Sequence, residues 1–292
     1  MQRVRIADLV IDMANADVEF FAHRLQAYRD DSDGSPDLRI FFETPETIPF
    51  PEGSTTVCNE RLKVTELADG RRCRGLYGSK SGRLLQTITC TRDYTEAEIR
   101  MPIDRSHPRL TLTDFEYMFT GLVFSDRLTY LGGLVLHGSS LAFDGDGVIF
   151  SAPSGTGKST HTGLWCEKYG DRVVMLNDDK PAIRFNDNGE PIVYGTPWSG
   201  KTELNTNAQA PLRGIVFLQR GTENAIRRLS VTEALLYMNR ELPLPYHDAA
   251  LGERLLDTAT RLLQAVPAYL MSCTISEEAV ELVRTTLNLG KE

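Results

Sequence analysis

The sequence predicts an α/β protein in which a phosphate-binding domain follows a smaller β-rich module. Three observations predict it. A glycine-rich loop, Ser154-Gly155-Thr156-Gly157-Lys158-Ser159-Thr160, stands between a short apolar run and a stretch with helical character. A second β-like run downstream ends in Asp178-Asp179. The first third of the chain carries its apolar residues in short runs broken by turn residues. At 292 residues the length suits one large domain or two ordinary ones. The change of texture places a β-rich module at 1–108 and a loop-bearing α/β domain with a helical C-terminal part at 109–292.

Taken in order, the opening MQRVRIADLVIDM holds Asp8 and Asp12 inside its apolar stretch and does not read as a signal peptide. Residues 30–37, rich in Asp, Ser, Gly and Pro, read as a loop. Strands are expected over 38–42, 55–58, 62–67 and 84–91. Thr113-x-x-Glu116 reads as a capping box, with Phe115, Met118, Phe119, Leu122 and Val123 as the buried face of the helix it starts. Strands follow at 133–137, 140–143 and 148–150, with Asp144-Gly145-Asp146-Gly147 as a turn. In the last third, Ser230-x-x-Glu233 caps a helix over 231–240, and Leu251, Leu255, Ala259 and Leu262 mark another. A strand at 269–271 and a helix over 277–287 close the chain.

Composition excludes several classes. Hydrophobic residues are 41% and charged residues 25%, the balance of an ordinary globular chain rather than a disordered or collagen-like one. Forty acidic against 32 basic residues give a net charge of −8, the wrong sign for a nucleic-acid footprint. Five scattered cysteines without a C-x-x-C argue against a zinc site or disulfide framework. No apolar run approaches the length of a membrane span, so the expected location is the cytoplasm, with no membrane partner.

The loop carries the chemistry. Glycines let consecutive backbone N–H groups turn inward and form a nest for anionic oxygens, and the following helix adds its positive end. Lys158 is placed to reach the β- and γ-phosphates of a nucleotide, and the Ser159 hydroxyl to hold Mg²⁺. Ala152 stands where the full phosphate-loop pattern has its first glycine. Alone, Asp178-Asp179 would be an ordinary solvated turn. Downstream of such a loop, one carboxylate can serve the metal and the other can accept the proton of an attacking hydroxyl.

These segments resemble the HPr kinase/phosphorylase family and its relatives, the ATP-dependent phosphoenolpyruvate carboxykinases. The matching residues are His137-Gly138, the loop 154–160, Asp178-Asp179 and the run Gly195-Thr196-Pro197-Trp198-Ser199-Gly200-Lys201, within about residues 130–220. The resemblance implies that Asp178 is the general base, Asp179 a metal-side acid and His137 a neighbour of the phosphates. It also implies that Arg213, in Leu212-Arg213-Gly214-Ile215-Val216, is a charge-stabilising arginine. Trp198 reads equally as a base cap or lid and as a packed side chain, and Lys201 as a neutraliser of phosphoryl charge or a solvated lysine. ATP and Mg²⁺ are the implied cofactors, and the partner is a hydroxyl-bearing acceptor on a small molecule, peptide or protein; an oligomer is plausible. A nucleotide-sensing module without transfer, a carboxykinase-like enzyme and a partner-coupled ATPase remain as alternatives.

Overall fold

Each half of the chain builds its own sheet, and the structure, a computed structural model, is mixed α/β. It describes residues 1–79, 81–200 and 202–290. One compact unit comprises Met1–Leu131 with Pro245–Gly252, and the other Gly132–Leu244 with Glu253–Glu292. The first unit therefore includes the helix after residue 108, where the sequence reading drew its boundary before it.

The first unit holds β1 (Gln2–Ile6), β2 (Leu9–Ala14), α1 (Val18–Arg24), β3 (Leu38–Glu43), β4 (Ser54–Val57), β5 (Leu62–Glu66), β6 (Arg72–Tyr77), β7 (Leu84–Cys90), β8 (Glu96–Arg100) and α2 (Leu112–Tyr130). Its sheet has the order β1-β2-β3-β8-β7-β6-β5-β4, with β3 parallel to both β2 and β8. Alternation buries Val4, Ile6, Ile11, Met13, Leu38, Ile40 and Ile99, which accounts for the short apolar runs.

Two details correct the sequence expectations. The capping box of α2 is formed by Thr111 and Asp114, two residues earlier than Thr113 and Glu116. Glu116 is buried and accepts from Asn15 Nδ2 and from the backbone N–H groups of Ala16 and Asp17, while Thr113 Oγ1 donates to Asp17 Oδ2. Tertiary partners thus claim the pair that local spacing assigned to a cap. Met118, expected on the buried face, is exposed.

The segment 245–252 adds a buried polar cluster to this unit. Arg74 and Asp126 pair at 2.6 Å, Arg74 Nη1 donates to a ring nitrogen of His247 at 3.0 Å, and Tyr94 donates to Asp248. Burial, then the Arg74 charge, pushes His247 down to about 2, so it stays neutral.

The second unit holds β9 (Leu134–Val135), β10 (Gly138–Phe143), β11 (Asp146–Ser151), α3 (Lys158–Tyr169), β12 (Val173–Asn177), β13 (Ala182–Phe185), β14 (Pro191–Tyr194), β15 (Gln209–Arg220), β16 (Ala225–Arg228), α4 (Val231–Met238), most of α5 (Ala249–Ala265), β17 (Ala268–Cys273) and α6 (Glu277–Leu287). The long β15 serves two sheet segments. Its first residues pair with β14, and the rest run parallel to β11 on one side and β17 on the other. The order across the main segment is β12-β10-β11-β15-β17-β16.

Period-two alternation sends successive residues to opposite faces. Val148, Phe150, Val216 and Leu218 pack with Trp165, Ala279, Val280 and Val283. Ile149, Ile215 and Phe217 pack with Ala234, Met238, Leu255, Ala259 and Leu262. Trp165 is fully buried, with ring centroids 5.5 Å from Phe143 and 6.2 Å from Phe150. Truncating such an anchor costs about 3–5 kcal/mol, so α3 is firmly fixed to the sheet. Strand direction then decides where chemistry gathers. β11, β12, β15 and β17 all point the same way, and β10 runs opposite, so four carboxyl ends and the start of β10 lie along one edge.

Candidate functional site

A cleft of about 1070 Å³ lies along that edge. It is lined by His137 ahead of β10, the loop 154–157 and the start of α3, Asp178 and Asp179 after β12, Arg220 at the end of β15, and Cys273, Thr274 and Ile275 at the end of β17. Ligands of α/β sheets bind at the carboxyl ends of strands for the same topological reason.

The loop has the backbone an anion nest requires. Gly155 and Gly157 have φ of 79° and 119°, which a side chain would strain, and Gly157 is the N-cap of α3. Arg220 Nη2 donates to Gly155 O at 2.7 Å and Nε to Thr156 O at 3.4 Å. Those carbonyls are held by the guanidinium, and Thr156 N–H donates to Pro153 O at 3.2 Å, so the remaining N–H groups of the loop are left for a ligand.

Lys158 Nζ donates to Ala152 O at 2.7 Å and to His137 Nε2 at 3.2 Å. His137 Nδ1 lies 2.6 Å from Glu241 Oε2. The partners fix the tautomer: Nδ1 carries the proton to Glu241, and Nε2 offers its lone pair to the lysine. Asp179 Oδ1 stands 3.5 Å from the same Nε2. Burial pulls the Lys158 ammonium below its ordinary value, opposed by the charges of Glu241, Asp179 and Asp178.

Asp178 is buried, and its Oδ1 accepts from Ser139 Oγ at 2.7 Å. Its buried Oδ2 has no hydrogen-bond partner among the described residues. Asn177 sets the turn. Its Oδ1 accepts from the N–H groups of Asp179 and Lys180, and its Nδ2 donates to Thr196 O and Trp198 O. Gly195 permits this join, because a Cβ there would stand 1.9 Å from Thr206 O and 2.5 Å from Leu176 O. A register shift between Ser140 and Leu141 in β10 lies beside the same corner.

Among protein families, the profile described as SynChlorMet cassette protein ScmC matches residues 118–287, more than half of the chain. The chain belongs to the ScmC family. No curated protein matches it. Among solved structures it is similar to the Hpr(Ser) kinase/phosphatase from Coxiella burnetii, at 11% identity and a TM-score of 0.31, over 53% of this chain and 93% of that one. At that score the two backbones coincide loosely, and the site of this ScmC family member stands on its own geometry.

In this ScmC family chain, His137, Ser154, Gly155, Thr156, Gly157, Lys158, Ser159, Thr160, Asp178 and Asp179 all line the one cleft. Arg213 does not. It sits near the opposite end of β15 and its Nε binds Asp146 Oδ1 at 2.6 Å, at the start of β11. Parallel pairing carries that end away from the loop, and Arg220, seven residues on, occupies the cleft instead. Trp198 is 3% exposed and is packed, so the lid reading fails for its side chain. Lys201 lies outside the described residues. Sequence reasoning missed Arg220, Ser139, Asn177 and Glu241. Their roles come from strand adjacency or from a 104-residue separation in the chain, and no local spacing carries them.

Proposed function

We propose that this chain is an ATP-dependent kinase that transfers the γ-phosphate to a hydroxyl of a small molecule, peptide or protein. One observation carries the reading: the buried Oδ2 of Asp178, without a hydrogen-bond partner among the described residues, in the cleft that also holds the glycine loop. A buried carboxylate oxygen without a partner costs about 1–3 kcal/mol or more, a cost a purely structural aspartate avoids. Its counterpart Oδ1 is anchored by Ser139, so Oδ2 is held in place for an incoming proton donor.

In this reading Asp178 Oδ2 takes the proton as the acceptor oxygen attacks the γ-phosphorus. The bond from that phosphorus to the bridging oxygen breaks, and ADP leaves with the electron pair. The loop N–H groups and Lys158 stabilise the phosphate charge, with His137 and Glu241 positioning the lysine. The donor set suits a hard cation. Asp178, Asp179 and Ser159 offer oxygen ligands, and among the described residues no group of three His, Cys, Asp or Glu forms a protein-only cage. Ser159 and Asp179 would hold Mg²⁺ together with phosphate oxygens, where it supplies neutralisation of phosphate charge.

The test incubates the protein with γ-labelled ATP, Mg²⁺ and a cell extract. The expected result is label on a hydroxyl-bearing acceptor with the wild type and none with Lys158→Ala. Tight ATP binding with no label transferred to any acceptor supports the nucleotide-sensing alternative and overturns the kinase reading.

A further inference from the structure

His161 is the fourth residue of α3, and no step of the proposed transfer uses it. It is 3% exposed, and it lines the cleft. Its ring packs on Phe150, with centroids 4.6 Å apart. Trp165 Nε1 donates to its Nε2 at 3.4 Å. An indole N–H can only donate, so Nε2 accepts, the ring is neutral and its proton stands on Nδ1.

That Nδ1–H has no hydrogen-bond partner among the described residues. The two ring nitrogens point away from each other. With Nε2 turned to Trp165 in the core, Nδ1 is turned to the side of the ring that lines the cleft. A leucine or phenylalanine would fill the same place without a stranded donor, so packing does not account for the imidazole. The bond from Trp165 accounts for Nε2 and leaves Nδ1 unexplained.

The position along α3 says which part of a ligand can meet this donor. His161 N donates to Gly157 O at 2.9 Å, so the amides that the loop and helix start can offer to phosphates end at Thr160. Thr162 faces Ser139, which holds Asp178. His161 is turned about 100° round the helix from Thr162, away from the carboxylates. If the γ-phosphate meets its acceptor beside Asp178, the group that reaches His161 lies at the other end of the triphosphate.

Resting on the phosphate-loop reading, we propose that His161 is a ligand-binding residue whose Nδ1–H donates to an acceptor oxygen at the nucleoside end of a nucleoside triphosphate, on the α-phosphate or the sugar. The bond gives the buried donor its missing partner on binding.

Calorimetry with Mg²⁺ and ATP or inorganic tripolyphosphate tests this on the wild type, His161→Asn and His161→Leu. The two substitutes share a shape, and both remove the acceptor for Trp165. Only asparagine keeps an N–H near the place of Nδ1, so their difference isolates the donor. His161→Asn is expected to bind ATP within about threefold of the wild type, and His161→Leu about tenfold more weakly than His161→Asn, the worth of one hydrogen bond. An equal loss for tripolyphosphate assigns the acceptor to the α-phosphate position. A loss confined to ATP assigns it to the sugar. Equal ATP affinity of the two variants overturns the proposal while leaving the phosphate loop standing. A second measurement needs only the folded wild type, with His161→Asn to assign the signal. Ring ¹⁵N resonances should show Nδ1 of His161 protonated and shifted when ATP is added. A proton on Nε2, or an Nδ1 signal that ATP leaves in place, also overturns it. Failure of the wild type to bind either ligand overturns the phosphate-loop reading beneath it.

Discussion

Ser139 Oγ donates to Asp178 Oδ1 at 2.7 Å, and the same hydroxyl lies 3.0 Å from Thr162 Oγ1 on α3. A residue of β10 thus ties the strand-end carboxylate to the helix that follows the phosphate loop. The bond engages Oδ1 of Asp178 and leaves Oδ2 without a hydrogen-bond partner among the described residues.

Asp178→Asn is expected to separate binding from transfer. The change keeps size and the bond to Ser139 but removes the proton acceptor. ATP affinity should change modestly, while transfer falls by about 10²–10⁴-fold, the usual worth of a positioned base. Single-turnover transfer at saturating ATP and Mg²⁺ measures it, and an unchanged rate would remove Asp178 from that role in favour of Asp179. Ser139→Ala should lower the same rate by a smaller factor, about tenfold, because the base remains but is less well held.

Lys158→Ala should lower ATP affinity without unfolding the second unit, because among the described residues the ammonium hydrogen-bonds to Ala152 O and His137 rather than packing in apolar core. For the wild type, ATP at 100 times its Kd should add about 2.7 kcal/mol of stability, and for the variant at the same concentration most of that gain should vanish. Thermal unfolding with and without ATP reads both. A variant as strongly stabilised as the wild type would assign the lysine to structure alone.

Arg220→Ala should loosen the loop. Two bonds from a guanidinium to backbone carbonyls at an exposed position are worth about 1 kcal/mol, so tripolyphosphate and ATP affinities should both fall about fivefold. Arg213→Ala, by contrast, breaks only an exposed pair with Asp146 and should leave both affinities within error. Equal effects of the two substitutions would contradict the placement of the cleft.

Acid should destabilise the second unit through His161. Burial against Phe150 and Trp165 pushes its pKa from 6.5 down to about 4, so the folded form resists protonation that the unfolded form accepts. The unfolded state then binds more protons between those values. Stability is full above about pH 6.5 and is lost as the pH falls toward 4, by about 2 kcal/mol at pH 5. Urea unfolding at pH 7 and pH 5 should show that loss in the wild type and a correspondingly smaller one in His161→Gln. His247 acts in the same direction in the first unit, so the two units need separate probes. Identical pH dependence in wild type and variant would rule His161 out as its source.

What the sequence by itself determined is local. The glycine loop between a strand and a helix, the acidic pair closing β12, the Ser230–Glu233 capping box and the periodic faces of α5 and α6 are each encoded within a few residues. Short-range geometry and hydrophobic period suffice to specify them. The β1–β2 hairpin escaped such reading because Ala7 and Asp8 turn it at positive φ without the usual Asn-Gly signal. The tertiary structure decided which long-range partners complete the site. Parallel pairing of β11 with β15 brings Arg220 to the loop and carries Arg213 away, and the return of the chain after α4 sets Glu241 behind His137. Those assignments depend on sheet order and strand direction, and the free energy that fixes them is spread over the whole core, so no short window of residues contains it.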